Sequence, residues 1–263
     1  MDGDRALDRL RLALVAKAGG YLHNPVRREL VTCTVCAEPA PGCQVCYRCR
    51  RNRSQSRVRL ADATAFLTYA VPGRQSGYVM RGYKARPPIG EHRTIVTLLA
   101  VLGLAQHRSC AERLLAAPVT HWAVVPSLPA RPGEHPLRPI VAALAPGTEL
   151  PLAAAGRTSY PRSVDPQHFR AGAALRPGAH VLVIDDTWVG GGHAQSAVLA
   201  ARQAGAAYVS VLVLARWLSE DYGSNACFLA GLAGRDYDPG LCPWTGAGCP
   251  EPGSPPGAAM ATG

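Results

Sequence analysis

The chain alternates short apolar segments with stretches in which apolar residues recur every three or four positions. The short segments, which predict β-strands, span residues 63–69, 122–126, 150–154, 180–185 and 208–214. The periodic or helix-compatible stretches lie near residues 5–20, 75–84, 89–106, 109–116, 137–145 and 193–204. Strand segments that are apolar throughout, such as 181–184, suit a parallel sheet covered on both faces. The order of elements therefore predicts an α/β domain in which helices flank a parallel sheet.

The same pattern divides the chain into segments of different character. We expect an N-terminal helix within 1–29, a cysteine-rich module at 30–57, the main α/β domain at 58–222, a cysteine-containing extension at 223–249 and a tail at 250–263. The tail consists mostly of Pro, Gly, Ala and Ser, which can bury little apolar surface. This composition predicts that the tail is disordered.

Composition and charge narrow the class of protein. The chain has 263 residues, 48% of them hydrophobic, and a formal net charge of +10. No run reaches the ~18 to 20 uninterrupted apolar residues of a membrane span, and residues 94–105 come closest. The N-terminus opens with Asp2 and Asp4 and lacks the basic-then-apolar order of a secretion signal. We therefore expect a soluble cytoplasmic protein that is not associated with a membrane.

Cysteine spacing gives the first candidate chemistry. Cys33 and Cys36 form one CxxC pair, and Cys46 and Cys49 form a second pair shortly after it. A CxxC turn lets two thiolates reach one ion at ~2.3 Å, and two such turns complete a tetrahedron. The spacing predicts a structural zinc site, because an all-sulfur site leaves no open position for water.

The remaining cysteines leave alternatives open. Cys43 is an alternative ligand, since it also forms a two-residue spacing within the module. Cys242 and Cys249 lie in a turn-rich segment and could bind the same ion or a second one, although two unpaired surface thiols are the more economical interpretation. Cys110 and Cys227 stand alone, which favours a place in the core.

The segment 180–196 carries the richest chemistry. Asp185 and Asp186 follow an apolar strand, and the three glycines 190–192 precede a helix. Glycine N–H groups and the helix dipole favour a phosphate, while two carboxylates can bind sugar hydroxyls or Mg²⁺. Since ligands of open α/β sheets lie beyond the carboxyl ends of strands, this pattern predicts a sugar-phosphate pocket. The alternative is a tight strand-to-helix turn in which Asp186 or Thr187 caps the helix.

This segment resembles the loop that binds phosphoribosyl pyrophosphate (PRPP) in type I phosphoribosyltransferases. Together with the N-terminal CxxC module, the chain from about 30 to 220 resembles the competence protein F (ComF) family of amidophosphoribosyltransferase-like proteins. Where that family usually has Thr-Gly-x-Thr, this chain has Gly190-Gly191-Gly192-His193. Both loop hydroxyls are therefore absent, whereas the backbone donors are retained.

The resemblance implies roles for individual residues in a pentosyl transfer from PRPP with Mg²⁺. Asp185 and Asp186 would bind the ribose hydroxyls and the metal. The 5′-phosphate would lie against Thr187, Gly190, Gly191, Gly192 and His193. The pyrophosphate candidates, which match the family's first helix and the loop after its second strand, are Lys84, Ser127 and Arg131. The acceptor and the oligomeric state stay open.

A basic run after the cysteine module supports a different hypothesis. Its members are Arg48, Arg50, Arg51, Arg53, Arg57 and Arg59. Because ComF-like proteins are tied to DNA uptake, the resemblance also implies an association with DNA or RNA through this run, by contacts to phosphates. Only Tyr47 lies beside it for base stacking, and the alternative explanation of the run, a solvated helix or linker, is the one that the sequence favours. A third hypothesis is a sensor that binds PRPP or a nucleotide without turnover.

Overall fold

The computed structural model describes residues 2–56, 58–156 and 160–251. Arg57 of the basic run lies outside these residues, as do residues 252–263 of the tail for which we predict disorder.

A five-stranded parallel sheet forms the centre of the fold. Its strands lie in the order β1-β7-β6-β2-β3, and the separate strands β4 and β5 form an antiparallel pair. The strands are β1 (Ala63–Ala70), β2 (His121–Val124), β3 (Thr148–Glu149), β4 (Leu152–Ala154), β5 (Phe169–Ala171), β6 (His180–Trp188) and β7 (Tyr208–Trp217). The strand order reverses between β2 and β6, which is where open α/β sheets bind ligands. The predicted parallel sheet is confirmed.

Helices cover both faces of the sheet. The helices are α1 (Asp2–Ala18), α2 (Tyr47–Gln55), α3 (Gln75–Gly82), α4 (Gly90–Leu115), α5 (Arg138–Val141), α6 (Gly192–Gln203) and α7 (Asn225–Ala230). Alternation along β6 places Leu182 and Ile184 in a core with α1, α3 and α4. Val181 and Val183 face the opposite core, which contains α6 and the cysteine module. The fully apolar strand is thus explained by burial on two sides.

Several element boundaries differ from the sequence prediction, and three of the differences affect the interpretation. The two helices expected at 89–106 and 109–116 are the single helix α4, whose junction is buried around Cys110. The segment 150–154 is divided at Pro151, because residues before it pair with β2 and residues after it pair with β5. Strand β6 continues to Trp188 through pairing with β7, so the acidic pair lies inside the strand rather than after it.

Helix α4 contains the apolar segment 94–105. Among the described residues, α4 is the one helix that is long and apolar enough to cross a membrane. Its mean hydropathy over an 18-residue window is 1.2. However, 61% of that window is buried inside the protein, where α4 packs on α1, α3 and the sheet. Its apolar character is therefore that of a core helix in an α/β fold.

Candidate functional site

A cleft of about 820 Å³ lies at the carboxyl end of β6. Asp185, Thr187 and the segment that leads into α6 line one side of it, and α2 of the cysteine module lines another. Residues 160–163 contribute a further wall. The volume is in the range of small-molecule binding sites.

Close packing explains two of the three glycines at the start of α6. Gly191 precedes the helix with φ +85°, and a side chain there would meet the Trp188 ring at 2.4 Å. A side chain at Gly192 would meet the Arg162 carbonyl oxygen at 2.1 Å, whereas Gly190 has open space around it. The first turn of α6 carries no acidic residue and no side-chain cap. Its N–H groups are therefore available to an anion in the cleft.

Helix α2 holds the glycine segment by two contacts. Asn52 Nδ2 donates to the Gly190 carbonyl at 3.1 Å, and an Arg48 guanidinium nitrogen donates to the Val189 carbonyl at 3.4 Å. The Arg48 guanidinium also lies 4.2 Å from the centre of the Tyr222 ring, and Arg51 lines the cleft. The sequence pattern does not predict these roles, because the contacts join segments 138 to 141 residues apart. Part of the basic run thus faces the cleft.

Asp186 is held as an ionised carboxylate. Its Oδ2 accepts hydrogen bonds from the Tyr83 hydroxyl at 2.5 Å and from Lys84 Nζ at 2.7 Å, and His135 Nε2 lies 3.7 Å away. Burial acts to raise the pKa of Asp186, but the Lys84 charge and the other neighbours hold that pKa below its usual range. The Tyr83-Lys84 pair of the sequence therefore does meet the acidic pair. His135 is an additional member that no spacing in the sequence indicated.

Asp185 has a different environment and a different charge. Burial, and then the negative charge of Asp186, raise the pKa of Asp185 to about 8. Its Oδ1 accepts the Asp186 backbone N–H at 2.8 Å, and the residue lines the cleft. Successive strand residues point to opposite faces, so the two acids have separate neighbours. The pKa values of the two carboxyls are therefore shifted in opposite directions, and Asp185 is the more readily protonated of the two.

The remaining predicted ligands fall into two groups. Thr187 and His193 line the cleft beside the glycines, and burial lowers the pKa of His193. Arg131 is exposed and lies near His135. Burial lowers the pKa of His135, the Asp186 charge opposes this shift, and the charges of Lys84 and Arg131 add to it. Ser127 is half-buried in the loop after β2 and is not part of the cleft wall. Asp185 faces the cleft, and the next residue of β6, Asp186, contacts Lys84 on the other side of the strand.

The cysteine module contains a compact group of four buried thiols, those of Cys33, Cys36, Cys46 and Cys49. Their sulfur atoms all lie within 4.8 Å of one another. The Cys36 and Cys46 sulfurs are 3.6 Å apart, close to the separation of about 3.8 Å that tetrahedral Zn–S bonds of ~2.3 Å require. Hydrogen bonds from the neighbouring thiols lower the pKa of Cys33. The donor set therefore fits a metal such as zinc, whereas Cys43 is exposed and outside the group.

The thiol group and the cleft are structurally connected. Cys46 is the N-cap of α2 and Cys49 lies within that helix, so the thiols fix the start of the element that supports the glycine segment. Arg216 of β7 donates to the Cys36 carbonyl at 2.8 Å and to the Val189 carbonyl at 3.0 Å. The module is therefore bound to the same backbone turn from two directions.

A second group corrects the prediction for the C-terminal cysteines. Cys242 and Cys249 are not two isolated surface thiols, because Cys242 is buried and both lie within 4.8 Å of His107 and Cys110. Cys110 is buried as predicted, but it is a member of this group rather than a simple core residue. The prediction of a core position for Cys227 is wrong, because that thiol is exposed on α7. His107 and Cys110 are three residues apart and share one face of a helix, and this spacing is the feature of the sequence that indicates a shared site.

Comparison with known proteins found similarity to solved structures only, and that similarity is weak. No protein-family model matches the chain, and no curated protein matches it. Among solved structures, the crystal structure of a purine phosphoribosyltransferase from Pyrococcus horikoshii Ot3 is similar at a TM-score of 0.28 and 11% sequence identity. The similarity covers 48% of this chain and 89% of that chain.

Proposed function

We propose that this protein binds 5-phosphoribosyl 1-pyrophosphate together with Mg²⁺ in the cleft at the end of β6 and transfers the pentose to an acceptor. The observation that carries the proposal is that Asp185 and the glycine segment 190–192 line one cleft of about 820 Å³. A carboxylate and a set of backbone donors can grip the hydroxyl end and the phosphate end of one phosphorylated pentose.

The 5′-phosphate would lie at the start of α6. That helix has a free first turn, and Gly190 has open space in which an anion can approach the backbone. Arg48 and Arg51 add positive charge on the facing wall, and the Thr187 side chain lies in the same cleft. These groups supply donors where a loop of the Thr-Gly-x-Thr type would use two threonine hydroxyls.

The ribose hydroxyls would bind Asp185. A hydroxyl donor, or a metal ion near the hydroxyls, interacts best with the carboxylate form. Because the pKa of Asp185 is raised to about 8, ligand binding at neutral pH would expel its proton. Asp186 would act from the other side of the strand, where its ionised carboxylate keeps Lys84 in place.

In the transfer, the bond between ribose C1 and the pyrophosphate oxygen breaks and a nucleophile of the acceptor bonds to C1. The sugar gains positive charge and the leaving group carries negative charge, so catalysis depends on positioning and charge stabilisation. Lys84 and Arg131 would stabilise the pyrophosphate, and Ser127 would contribute a hydroxyl donor. Mg²⁺ bound to the pyrophosphate would neutralise part of the leaving group's charge.

The surroundings of the arginine run do not favour a nucleic-acid function. Arg48 and Arg51 line the cleft, and Arg59 pairs with the buried Asp62 at 2.6 Å. Charges engaged within the protein add little to a surface that binds phosphates along a nucleic acid.

In this proposal the thiols of the cysteine module hold structural zinc, which fixes α2 beside the cleft. The whole chain would act in the cytoplasm.

Binding of the 5′-phosphate end and of the pyrophosphate end of PRPP can be tested separately. Isothermal titration with PRPP should show Mg²⁺-dependent binding that Asp185→Asn reduces at least tenfold, while Asp236→Asn, an exposed carboxylate outside the cleft wall, leaves it unchanged. Ribose 5-phosphate should lose affinity in Arg48→Ala, and pyrophosphate should lose affinity in Lys84→Met. Absence of PRPP binding at millimolar concentration to folded wild-type protein would refute the proposal. Binding without release of pyrophosphate across a set of acceptors would instead indicate a sensor.

A further inference from the structure

The second Cys/His group shares no residue with the cleft wall and lies where the C-terminal segment meets α4. His107 and Cys110 are one turn apart on α4, and Cys242 and Cys249 close a turn near the end of the described chain. His107 Nδ1 and Cys249 Sγ are 3.4 Å apart although 142 residues separate them in sequence. His107, Cys110 and Cys242 are buried, and Cys249 is exposed.

We propose that this group is a second structural zinc site, with His107 Nδ1 and the thiolates of Cys110, Cys242 and Cys249 as its four ligands. All four donor atoms lie within 4.8 Å of one another, as they must to share one ion. Three thiolates and one imidazole form a set that zinc binds tetrahedrally in structural sites. Four protein ligands leave no position for water, so the ion has a structural role.

The backbone of the C-terminal turn is shaped to present its thiols. The Cys242 N–H donates to the Ala247 carbonyl at 2.9 Å, and the Gly246 N–H donates to the Cys242 carbonyl at 2.8 Å. The backbone N–H groups of Trp244 and Thr245 donate to the Cys242 sulfur. Such N–H···S bonds stabilise a thiolate and orient it toward a metal. The turn is therefore preorganised before the ion arrives.

Neighbouring groups fix the turn and balance its charge. The buried Trp244 donates from Nε1 to the His107 carbonyl at 3.0 Å, which ties the turn to the ligand-bearing part of α4. Binding of Zn²⁺ to three thiols and a neutral imidazole releases three protons and leaves one net negative charge. Arg113 donates to the Pro250 carbonyl at 2.9 Å and acts electrostatically on Cys249. That guanidinium lies where it can compensate the charge of the site.

The ion would fasten the C-terminal extension to the central helix. Besides the ion, contacts of Trp244 and Arg113 hold this segment, and Arg27 Nε donates to the Pro243 carbonyl at 3.0 Å. Because the ion binds the folded arrangement of residues 142 positions apart and not the unfolded chain, its binding free energy adds to the stability of the folded protein. This proposal uses no residue of the cleft and does not depend on the proposed function.

Metal analysis of the full-length protein tests the proposal. Protein purified under reducing conditions with Zn²⁺ as the only added metal should contain two zinc ions per chain. Cys249→Ser, at an exposed position where folding is preserved, should reduce the count to one, and so should Cys36→Ser in the first group. Cys43→Ser and Cys227→Ser change exposed thiols outside both groups and should leave two ions.

A second measurement separates metal loss from misfolding. Co²⁺ titration of metal-free protein should saturate the thiolate charge-transfer band at two equivalents for the wild type and at one for Cys249→Ser. Chelation should make the segment 242–250 sensitive to protease in the wild type, whereas zinc should fail to protect it in Cys249→Ser. One zinc per folded wild-type chain, unchanged by Cys249→Ser, would overturn the proposal. A disulfide between Cys110 and Cys242 in the reduced preparation would overturn it too.

Discussion

Asn52 of the cysteine module donates a hydrogen bond from Nδ2 to the backbone carbonyl of Gly190, at 3.1 Å and across 138 residues of sequence. Gly190 begins the glycine segment that lines the cleft, and Asn52 belongs to the helix whose start is formed by two clustered cysteines. The contact therefore connects a candidate metal group to a candidate anion site. The cysteine module therefore supports the glycine segment of the cleft and is structurally part of the candidate site.

Removing this contact should weaken ligand binding without unfolding the protein. Asn52→Ala deletes one hydrogen bond of ~1 kcal/mol, and the freed glycine segment should bind PRPP about fivefold more weakly. Isothermal titration measures the change. Arg53→Ala, an exposed substitution on the same helix, is the matched control and should bind as the wild type does. Equal affinities of wild type and Asn52→Ala would show that the contact does not shape the site.

Metal removal should affect the same segment more strongly. Cys36→Ser removes one of the four buried thiols that fix the start of α2, so both the Asn52 and the Arg48 contacts should be lost. We expect no measurable PRPP binding and increased hydrogen exchange in residues 46–55 and 189–191. Cys249→Ser changes the other metal group, and its PRPP binding should be unaffected. PRPP binding by metal-free Cys36→Ser with the affinity of the wild type would show that the cysteine module does not support the cleft.

The sequence predicts those features of the site that depend on the spacing of residues within a short segment. The CxxC pairs at Cys33 and Cys46 and the glycines beside the acidic pair lie within short segments, where geometry follows from a few residues. The contact of Asn52 with Gly190 and the meeting of His107 with Cys249 depend on the packing of distant segments, which no spacing encodes. The extent of β6 beyond Asp185 was missed because pairing with β7 overrides the polar character of its last residues.

The raised pKa of Asp185 should make stability depend on pH. Its pKa is about 8 in the folded protein against 3.8 as the ordinary value, so between these values the folded state binds the extra proton. Its contribution therefore falls as pH rises, by up to ~1.4 kcal/mol per pH unit between pH 6 and 8. Asp185→Asn should lack this loss. Urea unfolding of both proteins at pH 6, 7 and 8 measures the difference, and parallel curves would contradict the shift.

Ligand binding should also release the Asp185 proton. At pH 7 the side chain is mostly protonated, and a carboxylate that accepts ribose hydroxyls must lose that proton. Calorimetry of PRPP binding in buffers with different ionisation enthalpies should show proton release near neutral pH that decreases as the pH rises, after subtraction of the ligand's own titration. Asp185→Asn, measured with ligand concentrations high enough for binding, should release none of this proton. Proton release that is the same in the wild type and the variant would exclude Asp185 as its source.

Lys84 and Asp186 should show strong coupling in a double-mutant cycle. Lys84→Met leaves the carboxylate of Asp186 buried and without its closest cation, which should cost a few kcal/mol of unfolding free energy. Asp186→Asn removes that charge, so the double variant should recover most of the loss. Chemical denaturation of the four proteins gives the coupling energy. Additive single effects would mean that the 2.7 Å contact contributes little to stability.

Gly190 and Gly191 should respond differently to the same substitution. Gly191→Ala places a side chain at φ +85° and 2.4 Å from the Trp188 ring, so we expect a loss of about 2 to 4 kcal/mol of stability. Gly190→Ala adds its methyl group in open space and should lie within about 0.5 kcal/mol of the wild type. Because that space is where the 5′-phosphate would approach, Gly190→Ala should nevertheless lose affinity for ribose 5-phosphate. Unfolding curves and titrations of both variants test this separation, and unimpaired binding by Gly190→Ala would place the phosphate elsewhere.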